Sequence, residues 1–372
     1  MPDTHGRPTV AEVSLSALRH NCRRVRELVG PGVAVLAVVK ADAYGHGAVA
    51  AARAFLEAGA AGLGVSNVAE GMELRRAGLT APIVVLGGVF AGEEQAVVAG
   101  DLEVALWDAE RARALASPSR PVRVHLKVDT GMTRLGLDLA QVREFGELVR
   151  GTPGLEIAGV FSHFASADAV DTAAARAQAA RFAGAVEALA AAGIRPRHVH
   201  LANSAGVLAA PGAHFTMVRP GIMLYGYAPA SHLAERAALR PAMRLSTAIT
   251  QTRHVPAGTP VSYAGTFVTA RPSTIATLPV GYADGYHRLA SNRAQVVVRG
   301  RRAPVAGRVC MDHTMIDVTG VDGVERGDRV LLFGDGLPAD ELAAWCETIS
   351  YETLTAVGRR VPRVHVEEWG DA

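Results

Sequence analysis

The chain has 372 residues, is 49% hydrophobic and 20% charged, and carries a formal net charge of +2. Its length predicts two domains, each able to bury a core. The arginines are scattered and build no basic stripe, which argues against nucleic acid or an anionic membrane and for a small-molecule partner.

The N-terminal MPDTHGRPTVAEVSLSALRHNC lacks an apolar run of signal-peptide length, and no later stretch reaches membrane-spanning length, so the expected compartment is the cytoplasm. Cys22, Cys310 and Cys346 are widely spaced, as reduced thiols are, and suggest neither a disulfide framework nor a metal site. Short β-branched runs then recur in chain order: VAVLAVVK (33–40), AGLGVS (61–66), PIVVLGG (82–88), LEVALW (102–107), VRVHLKVD (122–129), EIAGVFSHF (156–164), HVHLANS (198–204) and MVRPGIMLYG (217–226). Between them, stretches such as GAVAAARAFLEAGA and DTAAARAQAARFAGAVEALAAAG repeat apolar residues at helical spacing and end in Gly. This alternation predicts an α/β fold, a (β/α)8 TIM barrel over residues 10–238. An open doubly wound sheet has the same periodicity and stands as the alternative.

Beyond residue 238 the texture changes. MRLSTAITQTRHV, STIATLPVGY, AQVVVRGRRAPVAGRV, TMIDVTG and DRVLLFG read as strands between Gly, Pro and Asp turns, with a helix at ADELAAWCETIS. A mostly β C-terminal domain is expected over 239–372, with residues 1–9 attached and RPTVAEVS as a candidate strand for it.

Of the 38 Lys and Arg residues only Lys40 and Lys127 are lysine. On a solvated surface either cation serves, whereas only an amine can lose its proton when desolvated and attack a carbonyl. Lys40 closes the first barrel strand and Lys127 lies near the end of the fifth, and the carboxyl ends of strands are where barrels keep their chemistry.

Lys40 opens KADAYGHG. With HLKVDTGMTRLG (125–136), FSHFASAD (161–168), HLANSAG (200–206), VRPGIMLYG (218–226), VSYAGTF (261–267), LPVGYADGY (278–286), GRVCMDHTMIDV (307–318) and SYETLTAVGRRVPR (350–363), it makes a sequence that resembles the bacterial alanine racemases through nearly its whole length. The resemblance implies a cytoplasmic, pyridoxal 5'-phosphate-dependent isomerase that interconverts L- and D-alanine by a two-base mechanism and supplies D-alanine for peptidoglycan. It also implies a homodimer whose two subunits share each active site. Lys40 would hold the cofactor as an aldimine and act as base on one face of the substrate Cα. Tyr263, from the partner subunit, would act on the other face, with His163 hydrogen-bonding toward it, since a free phenol is a poor base.

Arg219 would face the cofactor ring nitrogen, and because a guanidinium only donates, that nitrogen would stay unprotonated. Ser204, the amides of Gly221 and Ile222, Tyr351 and Tyr44 match the phosphate ligands of the family. Arg134 matches the arginine that contacts the cofactor's phenolic oxygen and the substrate carboxylate. Lys127 matches a lysine carbamylated in many members, an anion that would brace Arg134. Met311 would lend its backbone amide to the substrate carboxylate, and Tyr282 would line the entry. No metal is implied. The rival readings are a serine or broader-specificity racemase, a barrel-type decarboxylase, and a non-catalytic pyridoxal-phosphate carrier; VSYAGTF and CMDHTM argue against the decarboxylase, and Tyr263 against the carrier.

Overall fold

A computed structural model describes residues 6–117 and 120–369. The domain assignments of residues 1–5 and 370–372 lie outside the described residues. Among the described residues no helix is long and apolar enough to cross a membrane.

One compact unit comprises residues 16–43 and 48–240. Eight strands, Ala34–Val38, Gly62–Val65, Ile83–Val85, Glu103–Leu106, Val122–Lys127, Leu155–Phe161, His198–His200 and Met217–Val218, form a closed barrel. Each is parallel to the next, and the first closes on the eighth through Ala34↔Met217 and Val35↔Val218. Closure removes the open-sheet alternative. The strands are buried on both faces, which is why they read as continuous apolar runs rather than alternating ones. The two Ala-rich stretches form the helices Ala48–Glu57 and Ala173–Ala191. One interior position needs glycine: a Cβ on Gly159 would lie 2.2 Å from the His125 ring, and a register shift between Val124 and His125 falls beside it.

The second unit comprises residues 6–15, 44–47 and 241–369. Its largest sheet runs in the order Arg301–Pro304, Gln295–Val298, Arg329–Phe333, Met243–Ala248, Val10–Ser14, Arg363–Val366. A three-stranded sheet (Gln251–Val255, Ser273–Leu278, Thr314–Asp317) and a hairpin (Pro260–Val261, Phe267–Val268) complete its pairing. The expected boundaries at residues 10 and 239 therefore shift. Val10–Ser14 is an inner strand here, antiparallel to Met243–Ala248 and parallel to Arg363–Val366, with Ala11 and Val13 fully buried.

The segment Tyr44–Gly47 also belongs to this unit. Arg363 Nε donates to the Gly45 carbonyl at 2.9 Å, and His365 Nε2 to that of His46 at 2.8 Å. Gly45 has φ +82°, and a Cβ there would stand 2.3 Å from the Leu354 carbonyl oxygen.

Candidate active site

The barrel unit gathers most of the candidate residues at the carboxyl ends of its strands. Lys40 follows the first strand, Lys127 ends the fifth, His163 follows the sixth, Ser204 the seventh and Arg219 the eighth. Directly after Lys40 the backbone makes a left-handed turn: Ala41, Asp42, Ala43 and Tyr44 have φ of 53°, 52°, 53° and 54°. Each such residue costs roughly 1–2 kcal/mol, so the turn persists only because its surroundings hold it. Glu70 does part of this, accepting from the Ala41 amide at 2.9 Å and the Ser66 amide at 2.7 Å, and Asp42 accepts from the Ala48 amide at 2.6 Å. Burial lowers the Lys40 amine below the ordinary lysine value, as do Arg134 and Arg219, against the opposing pull of Glu70.

Lys127 is 6% exposed, and its Nζ sits 4.5 Å from the centroid of the Phe161 ring. Burial first, then Arg219 and Arg134, push its amine well below the ordinary value, with Asp129 opposing. It has no hydrogen-bond acceptor among the described residues. Arg134 is exposed and likewise has none; its loop is shaped by the Asp129 carboxylate, which accepts from the Gly131 and Met132 amides at 2.8 and 2.9 Å.

Arg219 is 3% exposed and its donors are almost all committed. Nη1 donates to His200 Nδ1 at 3.0 Å and to the His200 carbonyl at 2.9 Å. Nη2 donates to the Ser162 carbonyl at 2.6 Å, to the Leu201 carbonyl at 3.2 Å and to His163 Nδ1 at 3.3 Å. Only Nε–H is left without an acceptor among the described residues. Burial and Arg134 bring the guanidinium down to about 9, still cationic at neutral pH. His163 is pushed well below the ordinary histidine value by burial, then by Arg219, Lys127, Arg134 and Lys40. It is neutral, accepts from Arg219 on Nδ1, and keeps its proton on Nε2.

Ser204 Oγ accepts from the Gly221 amide at 2.9 Å, so that amide is turned onto the serine. The Ile222 amide, buried in the same loop, has no acceptor among the described residues. An unpaired buried N–H is rare without a ligand to receive it.

In the β unit, the Tyr44 and Tyr351 rings lie 6.1 Å apart, and burial raises the Tyr44 phenol to about 12. Tyr263 is 71% exposed and Met311 53%, with Tyr282 also exposed. The Met311 loop is zipped to the Tyr282 loop: the Tyr282 amide donates to the Cys310 carbonyl at 3.0 Å and the Ala283 amide to that of Met311 at 3.1 Å. Beneath them Asp284, with no exposure, is forked by Arg7 through two bonds of 2.7 Å and by Arg360 at 2.6 and 3.2 Å. Arg360 reaches on to Asp312 at 2.7 Å. Burial alone would raise the Asp284 carboxyl, but hydrogen bonds from Arg7, Arg360 and the Gly281 amide hold it below the usual carboxylate range. Its folded value is below its unfolded one, so this stabilisation is present above the ordinary carboxylate pKa and is lost as pH falls through the folded value. We expect Asp284→Asn to destabilise the protein by about 1–3 kcal/mol at neutral pH, since a buried amide cannot accept from both partly solvated arginines as the carboxylate does. Urea unfolding measures it, and a change within error excludes a structural role for the triad.

Several participants had no assigned role in the sequence reading. Glu70 anchors the left-handed turn. Gln178, buried on the Ala-rich helix, bonds the His163 carbonyl at 3.1 Å and the Ala165 amide at 2.9 Å, fixing the loop that carries His163. A lone amide on the apolar face of a helix was the available signal for it. His125, His200 and Glu103 sit inside the barrel.

The chemistry of the donor set fits an anionic, nitrogen-heterocyclic aldehyde cofactor. Lys40, Lys127, Arg134 and Arg219 crowd four basic groups into one site, each lysine amine lowered by burial and the neighbouring guanidiniums, with a guanidinium N–H and a loop amide left without acceptors among the described residues. Residues 13–229 match the model of the alanine racemase N-terminal domain, and residues 242–365 that of the C-terminal domain. The alanine racemase of Desulfovibrio desulfuricans is 45% identical over 97% of this chain and 99% of its own length, and that of Geobacter sulfurreducens 46% over 97% of each. Among solved structures, alanine racemase from Streptomyces coelicolor superposes with a TM-score of 0.92 at 38% identity, covering 99% of this chain and all of its own. The Bacillus anthracis enzyme with bound L-Ala-P gives 0.91 at 36%, covering 97% and 95%.

Proposed function

This chain belongs to the alanine racemase family, and from that premise we propose that it interconverts L- and D-alanine with pyridoxal 5'-phosphate held on Lys40, each active site being completed by Tyr263 and Met311 of a second subunit. The observation that carries the reading is full-length similarity across both domains to curated alanine racemases. When bound, the cofactor supplies an electron sink that acidifies the substrate α-proton.

The chain's own groups do the rest. Lys40 Nζ, its proton affinity lowered by burial and cations, takes or returns the α-proton on the face presented by D-alanine, and the partner subunit's Tyr263 Oη does so on the face presented by L-alanine. His163, with its proton on Nε2, donates toward that phenol. Arg219 Nε–H would donate to the ring nitrogen, and since a guanidinium only donates, that nitrogen would stay unprotonated, which would limit charge delocalisation and the side reactions that follow from it. Ser204 and the Ile222 amide would receive the phosphate, with the Gly221 amide holding the Ser204 hydroxyl, and Tyr44 and Tyr351 correspond to the family's tyrosine ligands for it. Arg134 would hold the phenolic oxygen and the substrate carboxylate, and the Met311 amide of the second subunit would hold that carboxylate too.

Tyr263, Tyr282 and Met311, all exposed in the β unit, are the side chains a second subunit would cover in the proposed homodimer. The proposed compartment is the cytoplasm, where three free cysteines are at home, and the proposed use of D-alanine is peptidoglycan assembly. Circular dichroism of alanine after incubation with either enantiomer, with L-serine run in parallel, tests the reaction. Equal approach to the racemate from both sides is expected; a rate on serine above that on alanine would move the assignment to a serine racemase.

Lys127 is proposed to carry a carbamate. Its neutral buried amine attacks carbon dioxide, one proton leaves to solvent, and the resulting anion compensates Arg134 and Arg219. Because its folded pKa is lowered, the unmodified amine costs stability at neutral pH, and that cost shrinks as pH rises toward the ordinary lysine range. Bicarbonate should therefore add one carbon dioxide to the intact mass and raise Tm by roughly 2–4 °C, neither of which occurs in Lys127→Met. An unchanged mass together with an unchanged Tm sinks the assignment.

A further inference from the structure

A chain of hydrogen bonds leaves Arg219 away from the residues described so far and runs through the barrel interior. Arg219 Nη1 meets His200 Nδ1 at 3.0 Å, His200 Nε2 meets His125 Nδ1 at 2.8 Å, and His125 Nε2 meets Glu103 Oε2 at 2.8 Å. Glu103 Oε1 accepts from Arg123 Nε at 2.9 Å, and Arg123 Nη2 reaches Asp101 at 2.8 Å. Both histidines are fully buried and Glu103 nearly so. The barrel is shaped to admit this chain: Gly159 leaves the space that the His125 ring fills, and the strand register shifts beside it.

The two ends fix the direction of every bond. A guanidinium can only donate and a carboxylate can only accept. His200 Nδ1 must therefore be bare, which puts its proton on Nε2. That proton occupies His125 Nδ1, which puts the His125 proton on Nε2, facing Glu103. A doubly protonated His125 would set N–H against N–H at the 2.8 Å contact, so both rings are neutral. The surroundings agree: burial, then Arg219 and the neighbouring histidines, push His200 well below its ordinary value. Burial would raise Glu103, but the hydrogen bonds from His125 and Arg123 hold it below the usual carboxylate range.

We infer that Glu103 and His125 are positioning residues for the racemase reaction. Together they set the polarity of the relay, hold His200 as an acceptor, and so fix the Arg219 guanidinium with Nε–H directed at the cofactor ring nitrogen. The inference rests on the reading of Arg219 given above. It assigns function to a carboxylate that never touches substrate or cofactor.

Histidine tautomers in the 15N-labelled full-length holoenzyme decide the polarity directly. Both His125 and His200 should be Nε2–H; an Nδ1–H form of either ring overturns the inference. Glu103→Gln supplies the second test. Its amide oxygen stays with Arg123 and its NH₂ group donates to His125 Nε2, which reverses both rings and sets a His200 Nδ1–H against Arg219. The expected results are a tautomer switch, a shifted absorption band of the bound cofactor, and a fall in kcat of about tenfold with KM changed less than about twofold. Glu103→Asp keeps the carboxylate and should restore tautomers, band and kcat together. Tautomers that switch without moving the band, while Arg219→Ala does move it, overturn the relay alone. A band unmoved by Arg219→Ala overturns the placement of Arg219 instead.

Discussion

Lys40→Arg should fold normally, lack the visible absorbance of covalently held cofactor, and lose racemisation by about 10⁴-fold or more in both directions. The expectation rests on what the left-handed turn does with the amine. Four consecutive non-glycine residues at positive φ are an expensive way to leave a strand, and Glu70 and Asp42 stabilise the turn by capturing the Ala41 and Ala48 amides. Lys40 itself is thereby held half-buried, close enough to Arg134 and Arg219 for their charge to lower its proton affinity. Arginine keeps the bulk and the charge but can neither condense with an aldehyde nor accept a proton at neutral pH. Far-ultraviolet circular dichroism checks that the fold survives, visible absorbance checks the cofactor, and enantiomer assays check turnover. Retained turnover with no absorbance would remove Lys40 from the chemistry.

Tyr263→Phe should cost about 10²-fold or more in racemisation while the cofactor stays bound. The effect should be one-sided. Solvent deuterium should still enter the α-position of D-alanine, because that exchange needs only Lys40, while exchange into L-alanine collapses. The phenol sits in a turn of unusual strain: Ser262 has φ 65° and ψ −173°, and Ala264 has φ 61°, conformations that glycine takes far more readily than serine or alanine. Ser262 Oγ holds the turn by donating to the Arg308 carbonyl at 2.7 Å. Such strain around an exposed tyrosine suits a side chain presented to something outside its own subunit. Equal loss of both exchanges would show instead that Tyr263 positions substrate rather than moving a proton.

How much of this was legible beforehand differs by residue. Lys40 and Lys127 stood out because a chain that uses arginine almost everywhere keeps lysine only at these two positions. Arg219 was legible from its motif, but that all its donors except Nε–H are committed to protein acceptors was not. His125 and His200 lay in plain view in HLKVD and HLANS without a reading, because nothing in strand periodicity says that two rings from the fifth and seventh strands touch. Glu103 looked like any acidic residue beginning a strand. The inner strand Val10–Ser14 was too short to declare its partners, which lie more than two hundred residues away.

The sequence by itself determined the alternation of strands and helices, the change to β texture after residue 238, and the identity of the groups that can do amine chemistry. These follow from local periodicity and from the bond-making capacity of single side chains. The tertiary structure decided closure of the barrel, the left-handed exit from Lys40, the attachment of Val10–Ser14 to the β unit, and the direction of the relay from Glu103 to Arg219. Each of those depends on contacts between segments far apart in the chain, where burial and hydrogen-bond satisfaction override what the local residues prefer.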